Sequence, residues 1–140
     1  MNFESRKSPK ERINQLSFRV IGLCLEVHRC LGPGLLESVY EEALAHELSL
    51  AAIPFVRQYP IPVIYKGVRL DCGFRADLVV EDELIMELKS VSVVSAIHQA
   101  QILTYLRLSG RSLGLLINFN VPILKEGIRR IVAGTLFEAH

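Results

Sequence analysis

The chain has 140 residues, 50% of them hydrophobic, with mean hydropathy +0.30 and no tryptophan, which excludes disorder as its main state. This length supports one real hydrophobic core and leaves little room for a second domain. Sixteen Lys and Arg against fifteen Asp and Glu leave a formal charge of +1, so overall charge does not announce a polyanion binder.

Residues 1–11 are polar and net basic and read as a lead-in to a single domain over residues 12–140. The N-terminus, Met1-Asn2-Phe3-Glu4-Ser5-Arg6-Lys7, lacks the apolar centre of a signal peptide, and Pro and charged residues interrupt every apolar run before it could span a bilayer. These features predict a cytoplasmic protein with no membrane partner. From Ile13 the positions Leu16, Val20, Leu23, Val27 and Leu31 continue a helical stripe, which Gly32-Pro33-Gly34 ends. Cys24 and Cys30 fall about 240° apart on that helix. With Cys72 they make an odd set without metal-type spacing, expected to be small buried hydrophobes in a reducing compartment.

A second helix is predicted from Glu37 to about Ala51, burying Tyr40, Ala43, Leu44 and Leu48, with Pro54 beyond it. Ile61 to Tyr65, the pair Lys66-Gly67, and Val68-Arg69-Leu70 predict a hairpin whose second strand continues past a bulge at Gly73 to Val80. Glu81-Asp82-Glu83 forms a turn into a third strand, Leu84 to Lys89. Ser95 caps a helix over 96–108, closed by Gly110, and Leu113 to Phe119 is an apolar run suited to a strand buried on both faces. The tail, Lys125 to Leu136, fits a strand or a short helix equally. The expected class is α/β: a mixed sheet with a three-strand antiparallel meander, flanked by helices.

A three-residue turn at 81–83 sets Asp77 opposite Glu87 and Val79 opposite Ile85, with Lys89 on the face of Glu87. Two opposed carboxylates repel each other, and a hard divalent ion such as Mg²⁺ relieves that repulsion. Alone, Asp…Glu-x-Lys describes an ordinary set of sheet-edge ion pairs with Arg75 and Lys89. On the following helix His98, Gln101 and Tyr105 are expected to share a polar face opposite Ile102, Leu103 and Leu106. Glu37 by itself suits a helix N-terminus, and Tyr40 suits a core aromatic with a satisfied hydroxyl.

Gly34-x-x-Glu37-x-x-Tyr40 resembles the signature of the small bacterial GxxExxY proteins, a branch of the PD-(D/E)XK nuclease superfamily. Glu26-Val27-His28, Leu31-Gly32-Pro33-Gly34, Tyr65-x-Gly67, Arg75-x-Asp77-Leu78, Glu87-Leu88-Lys89 and Gln101-x-x-x-Tyr105-Leu106 follow in that family's order across residues 13–132. The resemblance implies a restriction-endonuclease-like core. Asp77 and Glu87 then match the metal-binding acids, with the Leu88 carbonyl as a further ligand, and Lys89 matches the active-site lysine. Glu37 matches the helix acid that reaches Mg²⁺ or Mn²⁺ directly or through water. Gln101 and Tyr105 shape the site near the substrate, and Tyr40 joins them as a site-shaping residue. Ala76 stands where the superfamily pattern has proline. His28 carries no assigned chemistry and is expected to cap its helix.

The implied reaction is metal-assisted phosphodiester hydrolysis of nucleic acid, DNA in preference to RNA. Residues 71–89 carry six acids against two bases, and residues 100–131 carry five bases (Arg107, Arg111, Lys125, Arg129, Arg130) against one acid. An acidic pocket beside a modest basic flank suits short or single-stranded substrates better than long duplex. The competing expectation is a non-catalytic module that self-associates as a homo-oligomer or binds a partner through apolar residues such as Leu113, Leu115, Leu116, Ile123 and Leu124. Hydrolysis of a small phosphate ester is a third.

Overall fold

The computed structural model describes residues 6–138; the first five residues of the expected lead-in, and the last two of the expected domain, lie outside the described residues. Helix α1 runs Pro9–Leu31, starting earlier than the stripe at Ile13 suggests. Ser8 caps it by accepting the Glu11 N–H at 3.1 Å, and Pro9 needs no donor in the first turn. The buried stripe is Ile13, Leu16, Val20, Cys24 and Val27, and the Gly32 N–H closes the helix on the His28 carbonyl at 2.8 Å. Helix α2, Glu37–Leu50, buries Tyr40, Leu44 and Leu48 as expected, and Ala43 only partly.

Strand β1, Phe55–Pro60, has no counterpart in the sequence reading. It is an edge strand, and its mostly exposed residues carry no strong period-two signal. Strands β2 (Val63–Tyr65) and β3 (Val68–Leu70) form the expected hairpin, with Lys66 and Gly67 both at positive φ (49° and 79°), the tight-turn geometry that such pairs favour. The predicted continuation from β3 to Val80 does not form. The chain leaves the hairpin at Leu70, and β4, Arg75–Val80, belongs to a different sheet. The antiparallel meander is therefore β1, β4 and β5 (Leu84–Lys89), and the small hairpin is an excursion between its first two strands.

The register is the expected one: Leu78 pairs with Met86 and Val79 with Ile85, across a turn in which Glu81 and Asp82 take positive φ. Helix α3, Ala96–Ser109, crosses over to β6, Leu113–Asn118, which runs parallel to β5. The ambiguous tail contains both forms, a 3₁₀ turn at Leu124–Gly127 and strand β7, Ile128–Val132, antiparallel to β6.

The result is a mixed five-stranded sheet in the order β1-β4-β5-β6-β7 with helices on both faces. Residues of α1 and α2 pack on Leu78, Val80, Leu84, Met86, Leu88, Leu113, Leu115 and Ile117. On the other face Ile102, Tyr105 and Leu106 of α3 cover Val79, Ile85 and Leu116. Gly114 makes that close approach possible, because a Cβ there would lie 2.5 Å from Cγ2 of buried Ile102. Of the three cysteines only Cys24 is buried, its thiol pushed up to about 12 by desolvation; Cys30 and Cys72 are exposed, contrary to expectation. Among the described residues no helix is long and apolar enough to cross a membrane.

Candidate active site

The ladder between β4 and β5 stops at Leu78 and Met86, one step before Asp77 and Glu87. Beyond it the two carboxyl groups take over the work of the ladder. The Asp77 N–H donates to Glu87 Oε1 at 3.2 Å, and the Leu88 N–H donates to Asp77 Oδ2 at 2.8 Å. Each acid thus holds the other's strand, and the two side chains stand together. Glu87 is only 5% exposed. Burial, and then the charge of Asp77, pushes its pKa up to about 8, and burial raises that of Asp77 as well. A pair that resists ionisation on both sides is a strong site for a cation.

Lys89 lies two residues beyond Glu87 on β5, near enough for its charge to favour ionisation of both acids. Across from it on β6, buried Asn118 clamps the chain that leaves the strand: its Nδ2 donates to the Val91 carbonyl at 2.9 Å, and its Oδ1 accepts the Val91 N–H at 3.1 Å. Tyr105 is buried beside Ile102 and Leu106 rather than on a separate polar face. The cause is angular, since residues 102 and 105 lie only about 60° apart on the helix. Burial raises the Tyr105 pKa, and the charges of Glu87 and then Asp77 raise it further. His98 does not join it: its Nδ1 accepts the Ser95 N–H at 3.3 Å and serves the start of α3. Gln101 lies one turn before Tyr105, on a surface hollow that both residues line.

The connection from α1 to α2 docks on the same end of the sheet. The hydroxyl of Tyr40 donates to the Gly32 carbonyl at 2.6 Å and accepts the Leu35 N–H at 3.1 Å. Its ring stacks on Phe119 at 4.4 Å between centroids, just past the end of β6. Glu37 accepts the Ser90 N–H at 3.4 Å, and Ser90 Oγ donates to the Leu35 carbonyl at 2.6 Å. Gly34 (φ 95°) permits the tight path between these anchors. Tyr40, fully buried, positions the loop and cannot touch a substrate. His28 does not cap its own helix; its Nε2 donates to the Val121 carbonyl at 2.8 Å and ties α1 to the β6–β7 connection.

The family model of the PD-(D/E)XK nuclease superfamily matches residues 14–131. The chain belongs to this superfamily. Among curated proteins none matches it. Superfamily membership points to a nuclease that acts on nucleic acid and generally uses divalent metal ions, and the mixed sheet flanked by three helices is consistent with it.

A divalent ion fits the donor set in part. Asp77 and Glu87 offer hard, adjacent oxygens whose mutual repulsion a cation would relieve. Glu37 stays apart on Ser90, and among the described residues no cluster of three or more His, Cys, Asp or Glu side chains forms.

One further acid escaped the sequence reading. Glu41 is 9% exposed, takes two hydrogen bonds from Arg57 (3.0 and 2.7 Å) and one from Gln58 Nε2 at 2.8 Å, and its charge raises the pKa of Asp77. The available signal was its place on the stripe of Tyr40, Leu44 and Leu48, where an acid needs a partner. The expected basic flank, by contrast, is dispersed. Arg111 pairs with Asp82 at 2.6 Å, at the far end of β4 and β5, while Arg129 and Arg130 sit on edge strand β7.

Proposed function

We propose that the chain is a Mg²⁺- or Mn²⁺-dependent nuclease of the GxxExxY branch, hydrolysing phosphodiester bonds of short or single-stranded nucleic acid, DNA in preference to RNA. The observation that carries this reading is the Asp77–Glu87 pair, whose carboxyls stand side by side with raised pKa values, with Lys89 two residues beyond Glu87 on β5. Asp77, Glu87 and the Leu88 carbonyl would hold the ion, with Glu37 as an outlying acid. When bound, the ion supplies Lewis-acid stabilisation of charge developing on the phosphate. Lys89 orients the attacking water and offsets negative charge at the phosphate. Tyr105 and Gln101 form the substrate side, and Tyr40 fixes the loop that leads into Glu37 at the start of α2.

Divalent-metal titration by calorimetry at pH 7.5 tests this. Wild-type protein should bind Mn²⁺ and Mg²⁺, and Asp77→Asn should lose at least tenfold in affinity. Equal affinity in both proteins would remove the pair from the proposal. A second reading, self-association without catalysis, cannot use Leu113, Leu115, Leu116 or Leu124, which the core buries. Of the expected residues only Ile123 is exposed, and the reading draws instead on the hairpin side chains Ile64, Tyr65 and Val68, each more than half exposed (54%, 59% and 57%). It requires no metal binding at all, so the same titration separates the two.

A further inference from the structure

Beside the acidic pair lies an apolar hollow of about 250 Å³, lined among others by Val63, Phe74, Ile97, Gln101, Thr104 and Tyr105. One wall is α3; the other is the chain that leaves the small hairpin and enters β4. Phe74 is 44% exposed and Ile97 71% exposed, an open apolar surface that the chain itself leaves uncovered. The rings of Phe74 and Tyr105 are 6.2 Å apart and inclined at 55°, so the Phe74 face is not closed by stacking on its neighbour.

Continuity with the acids decides what this hollow suits. Tyr105 is a wall of the hollow and also belongs to one core cluster with Ala76, next to Asp77 on β4, and Ile85, two residues before Glu87 on β5. In the proposed site, a phosphate at Asp77, Glu87 and Lys89 would set its adjoining nucleoside on the Tyr105 side of the acids, the side on which the hollow opens. A base has a flat apolar face for Phe74 and a polar edge for the Gln101 amide, which can both donate and accept. A paired base has its faces covered by neighbours and its edge taken by its complement, and cannot enter. A second protein copy is a poorer occupant, because stable interfaces need on the order of 1,000 Å² of complementary surface.

We propose that this hollow receives an unpaired nucleobase adjacent to the phosphate held at Asp77 and Glu87, with Phe74 as the stacking platform and Gln101 at the base edge. The inference rests on the nuclease reading and adds what that reading lacks, a physical reason for single-strand selectivity. Phe74 acts on substrate binding and lies outside the metal-holding set.

The test is equilibrium binding of 2-aminopurine oligonucleotides with Ca²⁺ in place of Mg²⁺ at fixed salt, with single-stranded DNA, single-stranded RNA and duplex DNA of one sequence as separate arms. Wild-type protein should quench and bind a single strand at least tenfold more tightly than the duplex. Phe74→Ala should weaken that binding by about 5- to 150-fold, the scale of one lost base–aromatic stack. Phe74→Leu, which preserves apolar packing, should weaken it similarly, and Phe74→Trp should retain it. Equal affinity for duplex overturns the inference, as does wild-type affinity in the Ala and Leu variants. So does a self-association, seen by sedimentation, that Phe74→Leu disrupts while leaving oligonucleotide affinity unchanged. A wild-type protein that neither binds nor cleaves any nucleic acid overturns the nuclease reading itself; one that cleaves and is indifferent to Phe74 overturns only the hollow.

Discussion

Replacing Glu87 with Gln keeps the shape of the side chain and removes its charge. Glu87 is 5% exposed, and its pKa moves from 4.5 to about 8 on folding. A carboxyl with a raised pKa favours the fold fully below pH 4.5, and that contribution drains away as pH rises towards about 8. At pH 7 the unfolded chain has released this proton while the folded chain still holds it. At about 1.4 kcal/mol per pH unit the mismatch amounts to about 3 kcal/mol, which relaxation and water entry reduce to about 1–3 kcal/mol. Gln carries no such term, and its amide can still donate towards Asp77 and accept the Asp77 N–H. In EDTA at pH 7–8, Glu87→Gln should therefore be more stable than wild type by about 1–3 kcal/mol, raising Tm by roughly 3–12 °C, while losing metal binding. Below pH 4.5 the advantage should vanish. Urea and thermal melts across pH 4–8 measure it. A variant less stable than wild type at pH 8, or equally favoured at every pH, would refute the reasoning.

Lys89→Ala should lower cleavage by about 100-fold or more while changing Mg²⁺ affinity by less than about tenfold, a split read from single-turnover rates against calorimetry. Tyr40→Phe deletes the hydroxyl shared by Gly32 and Leu35; a loss of about 1–2 kcal/mol in urea unfolding is expected, with faster amide exchange at Leu35. Arg57→Ala leaves the buried Glu41 carboxylate with Gln58 alone; it should cost about 1–3 kcal/mol, and Arg57→Ala with Glu41→Gln should recover part of that in a double-mutant cycle. Gly114→Ala drives a methyl into Ile102 and should cost about 1–3 kcal/mol in thermal melts, without changing the metal-binding stoichiometry.

What the sequence made legible followed from local rules. The length of the 81–83 turn set the β4–β5 register, and with it the meeting of Asp77 and Glu87, because side-chain parity leaves no intermediate choice. The capping of α3 and the buried run of β6 are equally local. What escaped depends on long-range partners. β1 exists because β4 needs a neighbour, and its own residues, with Arg57 and Gln58 turned to Glu41, carry no strand signature. The hairpin was visible, but its separation from β4 was not, since nothing between Leu70 and Arg75 distinguishes a bulge from a change of sheet. The spacing of Tyr105 with His98 and Gln101 suggests a polar face, but its ring belongs to the α3 core. The motif Gly34-x-x-Glu37-x-x-Tyr40 acts as a docking device, as the hydrogen bonds of Tyr40 and Glu37 show.

The most direct test of the central claim is strand cleavage by wild-type and Asp77→Asn proteins purified side by side, over single- and double-stranded DNA and RNA with Mg²⁺, Mn²⁺ or EDTA. Wild-type protein should cleave single strands only when a divalent ion is present, and Asp77→Asn should be at least about 100-fold slower. Cleavage by Asp77→Asn at the wild-type rate, or wild-type cleavage that persists in EDTA, would contradict the account.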